Sequence, residues 1–180
     1  MRKFQKRELA SEDLKDSRYL LIPLFQAERA WAYSMQLKQE ANTEPRKKFH
    51  LMSRLRKAIK YANHLNKLSQ LNICDARTKL EAQGYANLMN GQYFFEKQDW
   101  QKSLNHFNLA KTIYEKLSVA LKGDDAQTFY LQKVDEIVPN IRYCNYNLGD
   151  ESARKELIDM KLKGFELSEN IDVRTMLLII

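Results

Sequence analysis

Between Pro45 and Cys74, in the stretch EPRKKFHLMSRLRKAIKYANHLNKLSQLNIC, thirty residues hold eight Lys/Arg and no Asp or Glu, in a chain of 180 residues with 23 acidic ones. On a helix turning ~100° per residue, Arg46, His50, Arg54, Lys57, Lys60 and His64 fall on one stripe. Met52, Leu55, Ile59 and Ala62 fall opposite and are expected to pack on neighbouring helices. Like charges three or four residues apart repel one another. A polyanion that neutralises them removes that cost, so the segment predicts a polyanion-binding helix. A second basic cluster, Arg2, Lys3, Lys6 and Arg7, is expected to be a flexible arm (residues 1–10) able to clamp neighbouring phosphates.

No other constellation competes with it. His50 and His64 lie among cations, away from Cys or carboxylates, which speaks against a metal site. His106 beside Phe107 reads as a surface or interhelical residue. Cys74 has no His–Asp partners in view, and no GxSxG, P-loop or paired-carboxylate motif occurs. The expectation is no enzyme, no cofactor and no metal. Arg142, Tyr143 and Tyr146 form an aromatic–basic cluster that could stack on RNA bases or close a helical bundle; Tyr61 carries the same two readings.

The elements that must position these residues read as helices throughout. With 5 Gly and 3 Pro, few breakers interrupt the chain. Ser11-Glu12-Asp13-Leu14 reads as a cap and acidic first turn. The helix after it carries Leu21, Leu24, Phe25, Ala27, Trp31, Met35 and Leu37 on its apolar side and ends near Asn42; Pro23 marks its early part. Glu44-Pro45 opens a second helix, with Pro in the first position, running to about Leu71. A third spans about Asp75 to Lys97, a fourth about Asp99 to Leu121, and a fifth follows Gly123-Asp124-Asp125. Val138-Pro139 is expected to break the fifth, with a short helix over 140–147 and another over 150–163. No sustained alternation of β-branched residues predicts a strand.

One hairpin fits a repeat template. Gly91, Phe94, Trp100, Ser103, Phe107 and Ala110 fall at the small and aromatic positions of a tetratricopeptide helix pair, with Ser103 where Ala is usual and no closing Pro. A weaker echo lies at Leu55, Ile59 and Ala62. The expected fold is therefore all-α: antiparallel helix pairs in a tetratricopeptide-like bundle or solenoid, a single domain over 1–180 with an unassigned tail at 164–180.

Charge sharpens the reading. Residues 1–74 carry 16 Lys/Arg against 7 Asp/Glu, a net of +9, whereas residues 75–180 are near neutral at −2. A basic half on a neutral scaffold suggests a polyanion surface. A membrane would want an apolar helix face turned to lipid, but that face is expected to be committed to neighbouring helices, and no run approaches the ~18 apolar residues of a spanning helix. DNA would more typically come with a helix-turn-helix, for which these helices are too long. RNA fits better: a basic helix can enter its major groove where bulges or junctions widen it. The N-terminal part of the helix is expected to enter, since Arg46, Lys47, Lys48 and the helix N-terminus all favour phosphate. Two cysteines without a spacing motif and no apolar stretch behind the basic N-terminus point to a reducing, intracellular setting; the apolar end Met176–Ile180 reads as a chain cut partway.

Three long stretches carry a family resemblance: KDSRYLLIPLFQAERAWAYSMQLKQEANTEPRKKFHLMSRLRKAIKYA (15–62), DARTKLEAQGYANLMNGQYFFEKQDWQKSLNHFNLAKTIYEKL (75–117) and IVPNIRYCNYNLGD (137–150). Over roughly residues 4–160 the chain resembles the sixty-eight-kilodalton subunit of the eukaryotic signal recognition particle, in its N-terminal RNA-binding domain. The resemblance implies a tetratricopeptide-like domain that binds the particle's RNA near the junction and asymmetric loop of its S domain and bends it there, in support of co-translational targeting to the endoplasmic reticulum. It places the family's arginine-rich helix on Arg46, Lys47, Lys48, Arg54, Arg56, Lys57 and Lys60, although this sequence is richer in Lys, so bidentate contacts are expected only at the Arg positions. It implies a cytoplasmic particle assembled in the nucleus or nucleolus, other particle proteins as partners through a region beyond this chain, and no membrane insertion. The competing reading from the repeat-like hairpin is an adaptor holding an acidic protein partner in its groove.

Overall fold

The computed structural model describes residues 9–149, apart from 11, 13, 15, 72, 73 and 124, together with 151, 155 and 158. A one-turn 3-10 helix, Ser17–Leu20, leads into α1 (Leu21–Glu40), followed by α2 (Lys47–Ser69), α3 (Ala76–Glu96), α4 (Trp100–Ala120) and α5 (Asp125–Leu148). Among the described residues there is no strand. Each helix packs on the next in the chain, so the architecture is a row of helical hairpins.

Local chemistry sets the helix starts. Asp75 accepts a bond from the Thr78 N–H at 3.3 Å and Asp99 from the Lys102 N–H at 3.4 Å, each filling an orphan donor of a first turn. Asp16 caps the 3-10 helix in the same way, through the Arg18 N–H at 2.9 Å; the expected cap at Ser11 lies outside the described residues. Between α3 and α4 the turn is only three residues long. The Asp99 N–H bonds back to the Phe94 carbonyl at 3.0 Å and the Gln98 N–H to Phe95 at 2.9 Å, which forces Gln98 to φ 65°, a left-handed conformation usually given to glycine.

The polar ties between helices give their directions. Tyr85 donates to Glu28 at 2.6 Å, the Trp31 indole to Gln92 at 2.6 Å, and Lys38 pairs with Glu96. These partners ascend together, so α1 and α3 run parallel with α2 antiparallel to both. Between α3 and α4 the order reverses: Gly91 meets Phe107 and Ser103, and Gly84 meets Ile113 and Tyr114.

The tetratricopeptide positions behave as the sequence implied. A Cβ on Gly91 would lie 2.7 Å from the Phe107 ring, and Phe107 and Ala110 are fully buried. Ser103 replaces the usual Ala because its hydroxyl donates to the Gly91 carbonyl at 2.9 Å, joining the two helices at their closest approach. His106 is indeed interhelical: its Nδ1 lies 3.0 Å from Asn87 Oδ1 and its ring stacks on Phe94.

Three expectations need correction. Phe25 and Leu21 do not face the core; they are 66% and 46% exposed. The buried side of α1 is instead Pro23, Ala27, Ala30, Ser34 and Leu37, because close packing against α2 calls for small residues, which a reading based on large apolar residues misses. Pro139 does not break α5, which is continuous from Asp125 to Leu148. Proline forfeits the bond to the carbonyl four residues back, here Asp135, and both residues lie on the exposed side of α5, where a missing helix bond costs less than it would in the core. The short helix at 140–147 is the end of α5. Pro45 stands in a turn just before α2, not in its first position. Of the helix expected at 150–163, only Glu151, Lys155 and Ile158 are described, all helical; the tail at 164–180 lies outside the described residues.

Candidate nucleic-acid interface

The buried side of α2 is Leu51, Leu55, Ala58, Ala62, Leu65, Leu68 and Ser69, spaced three and four apart except at the last residue. Leu51 and Leu55 pack with Leu37 of α1, Ala62 with Ala27, Ala86 and Met89, and Leu65 and Leu68 with Leu20, Cys74 and Ala82. Met52 and Ile59, expected opposite the stripe, are half-buried at its margins. With this face held on both sides, the rotation of α2 is fixed, and so is what it turns outward.

Outward stand Arg46, Lys48, Phe49, His50, Ser53, Arg56, Lys57, Lys60, Asn63 and Lys67, all exposed. At 1.5 Å per residue they span about 32 Å. Arg46, Lys48, Arg56 and Lys57 form no ion pair with any other described residue. Five of the seven helical candidates, Arg46, Lys48, Arg56, Lys57 and Lys60, are thus exposed on this face.

Lys47 is drawn away. Its ammonium lies 2.9 Å from Glu40 and 3.0 Å from Glu44, and the bonds to Glu40 first and Glu44 second hold its pKa above the ordinary Lys value. It closes the α1–α2 turn. The first-turn N–H groups expected to favour phosphate are also engaged: those of Lys47, Lys48 and Phe49 bond to the carbonyls of Glu44, Pro45 and Arg46 at 2.9, 3.1 and 3.2 Å. What α2 presents at its surface is therefore its cationic side chains and not free first-turn N–H groups.

Arg54 sits half-buried at the edge between α1 and α2, its guanidinium 4.7 Å from the centre of the Tyr33 ring. Such a cation–π contact orients the guanidinium plane and leaves its in-plane N–H donors for a phosphate or guanine edge. Spacing could not reveal Tyr33, since the contact crosses from one helix to another. His50 is exposed and His64 half-buried on the same face. Arg2, Lys3, Lys6 and Arg7 lie outside the described residues.

Tyr143 rests edge-on against Trp100 and packs on Phe95, so it serves to close α5 on the preceding hairpin; Tyr61 is half-buried against the Ala27–Ala62 cluster. A cleft of about 540 Å³ between the first residues of α1 and helices α2–α5 is lined mainly by Leu20, Leu24, Leu65, Tyr85, Tyr114 and Phe129. Its charges are mixed: Arg18 pairs with Asp16, and Glu81 with Arg77. That lining does not complement the acidic peptide of the adaptor reading. Among the described residues no group of three or more His, Cys, Asp or Glu could hold a metal, and no helix is long and apolar enough to cross a membrane. Cys74 and Cys144 are buried free thiols in separate clusters.

Comparison with known proteins converges on one family. The family model described as RNA-binding signal recognition particle 68 matches residues 1–174, extending past the stretch that carries the resemblance. Signal recognition particle subunit SRP68 of Drosophila melanogaster is 45% identical over 179 residues, 96% of this chain and 29% of the relative; that of Caenorhabditis elegans is 36% identical over 89% of this chain and 27% of the relative. The chain thus spans less than a third of the length of these relatives. The solved SRP68 RNA-binding domain of Chaetomium thermophilum superimposes with a TM-score of 0.69 at 30% identity, covering 78% of this chain and 77% of that one. With the helix order, the α3–α4 hairpin and the basic α2 face in place, the chain belongs to the RNA-binding signal recognition particle 68 family.

Proposed function

We propose that this chain binds the RNA of the signal recognition particle through the outward face of α2, with Arg46, Lys48, Arg54, Arg56, Lys57 and Lys60 on phosphates or guanine edges. Lys47 fixes the turn from which the helix departs, and the basic arm with Arg2, Lys3, Lys6 and Arg7 adds phosphate contacts. The RNA target is the junction and asymmetric loop of the S domain, which the protein bends or remodels, in support of co-translational targeting to the endoplasmic reticulum. The chain acts as one binding domain and not as an enzyme; contacts to other particle proteins come from a region of the subunit beyond it. It works in the cytoplasm after assembly in the nucleus or nucleolus.

The observation that carries this reading is a 23-residue helix held on one side by apolar packing and acid-free along its whole length. A groove in regular A-form RNA is too narrow for such a body, whereas a junction widens it. The test is a backbone footprint of the particle's RNA with and without the protein. Protection clustered at the junction and loop, lost together in Arg54→Ala/Lys57→Ala/Lys60→Ala, is the expected result. Protection spread evenly along duplex segments, unaffected by those substitutions, would overturn it.

A further inference from the structure

Phe49 is 80% exposed, the highest value for a large apolar side chain among the described residues. It stands in the first turn of α2, on the side turned away from α1 and α3, and shares its face with Arg46, Ser53, Arg56 and Lys60 at the i−3, i+4, i+7 and i+11 positions. Its sequence neighbours Lys48 and His50 are exposed as well. Other exposed apolar side chains, Tyr19, Leu21, Ile22 and Phe25, lie within seven residues of one another at the start of α1. Phe49 is instead a solitary aromatic ring among cations.

The surroundings narrow what could cover it. A protein partner gains by burying contiguous apolar area, and none adjoins Phe49 on α2. A phosphate gains nothing from a phenyl ring. An unpaired nucleobase gains both ways: its flat face stacks on the ring while the flanking cations take the phosphates on either side of it.

We infer that Phe49 is a stacking platform for one unpaired base of the bound RNA, at the N-terminal end of the α2 cationic stripe. The inference rests on the proposed RNA-binding role of that stripe and adds a different kind of contact to it. Lys and Arg along α2 hold phosphates, which fixes position without reading the RNA. Phe49 demands that a base be out of its helix at one defined place. A perfect duplex offers no such base without the cost of unpairing it. Stacking tolerates any base because each has a π face, so the selection is for an unpaired nucleotide and not for a sequence.

The experiment measures affinity of the full chain for the particle's RNA by fluorescence anisotropy across a salt series, for wild type, Phe49→Ala, Phe49→Leu, Phe49→Trp and Lys57→Ala, each checked by circular dichroism melting. Stacking on an aromatic changes affinity by about five- to a hundredfold on truncation. Phe49→Ala and Phe49→Leu should therefore both bind roughly tenfold more weakly, while Phe49→Trp binds as well as wild type. None of the three should change the slope of affinity against salt, because stacking releases no counterion. Lys57→Ala should reduce that slope by roughly 0.7–0.9. If Phe49→Leu matched wild type, or if Phe49→Ala lowered the salt slope as Lys57→Ala does, stacking would be refuted. If Phe49→Ala bound normally while Lys57→Ala was weakened, the inference would fall with the RNA-binding reading intact. Normal binding by both variants would remove the reading and the inference together.

Discussion

Leu55→Ala and Lys57→Ala lie two residues apart on α2 and should fail in opposite ways. Leu55 is 1% exposed and packs with Leu37 and Leu51, with Trp31, Met35, Met52 and Tyr93 closing around them. Truncation removes the transfer energy of the lost methyl groups and leaves a cavity between α1, α2 and α3, which costs about 2–5 kcal/mol. For a chain of this size each kcal/mol moves the midpoint by roughly 2–4 °C, so the melt should drop by about ten degrees. Lys57 is exposed, forms no ion pair with a described residue, and becomes Ala, the best helix former. Its removal should change stability by less than about 0.5 kcal/mol, yet weaken RNA binding and lower the salt slope by roughly 0.7–0.9. Thermal melts and anisotropy titrations at several salt concentrations measure both. The phase assigned to α2 would be refuted if the two variants melted alike, or if well-folded Leu55→Ala at low temperature lost as much salt slope as Lys57→Ala.

Three further outcomes follow from individual contacts. Gly91→Ala puts a methyl 2.7 Å from the Phe107 ring; overpacking of about 1–3 kcal/mol is offset only in part by a helix-propensity gain of at most ~1 kcal/mol, so denaturant melts should show a net loss of up to about 2–3 kcal/mol. Tyr33→Ala should weaken RNA binding by freeing the Arg54 guanidinium, Tyr33→Phe should not, and Tyr33→Ala should add nothing in an Arg54→Ala background, as a double-mutant cycle would reveal. Partial burial lowers the pKa of His106. The unfolded chain therefore takes up its proton first, so stability should decline as pH falls below about 6.5, and melts of His106→Gln should lack that part of the decline.

The helices were legible because their punctuation is local. Asp75 and Asp99 announce their helices within one turn, and the Gly91–Phe107 approach follows a spacing that any helical hairpin must respect. The outward face of α2 was legible because charge and periodicity agree over six turns. What escaped depends on partners distant in sequence. Phe25 looks like core until α2 is seen to need the small face of Ala27, Ala30 and Ser34. Pro139 looks like a break until it and Asp135 are seen to lie on the exposed side of α5. Lys47 looks like its neighbours until the α1–α2 turn brings Glu40 beside it, and Tyr33 carries no signal until α1 lies along α2. Phe49 was visible as a residue but not as an exposed one, since a first-turn aromatic can equally well fold back on the preceding loop.

The central claim is that an ordered cationic helix selects irregular RNA, and competition tests it most directly. The full chain is bound to labelled particle RNA and displaced with unlabelled junction RNA or with a perfect duplex of equal length and charge, at fixed physiological salt. A regular groove should not admit α2, so the account predicts that the junction RNA displaces at far lower concentration than the duplex. Equal displacement by the two would mean that α2 binds phosphate wherever it is found, and would contradict the account.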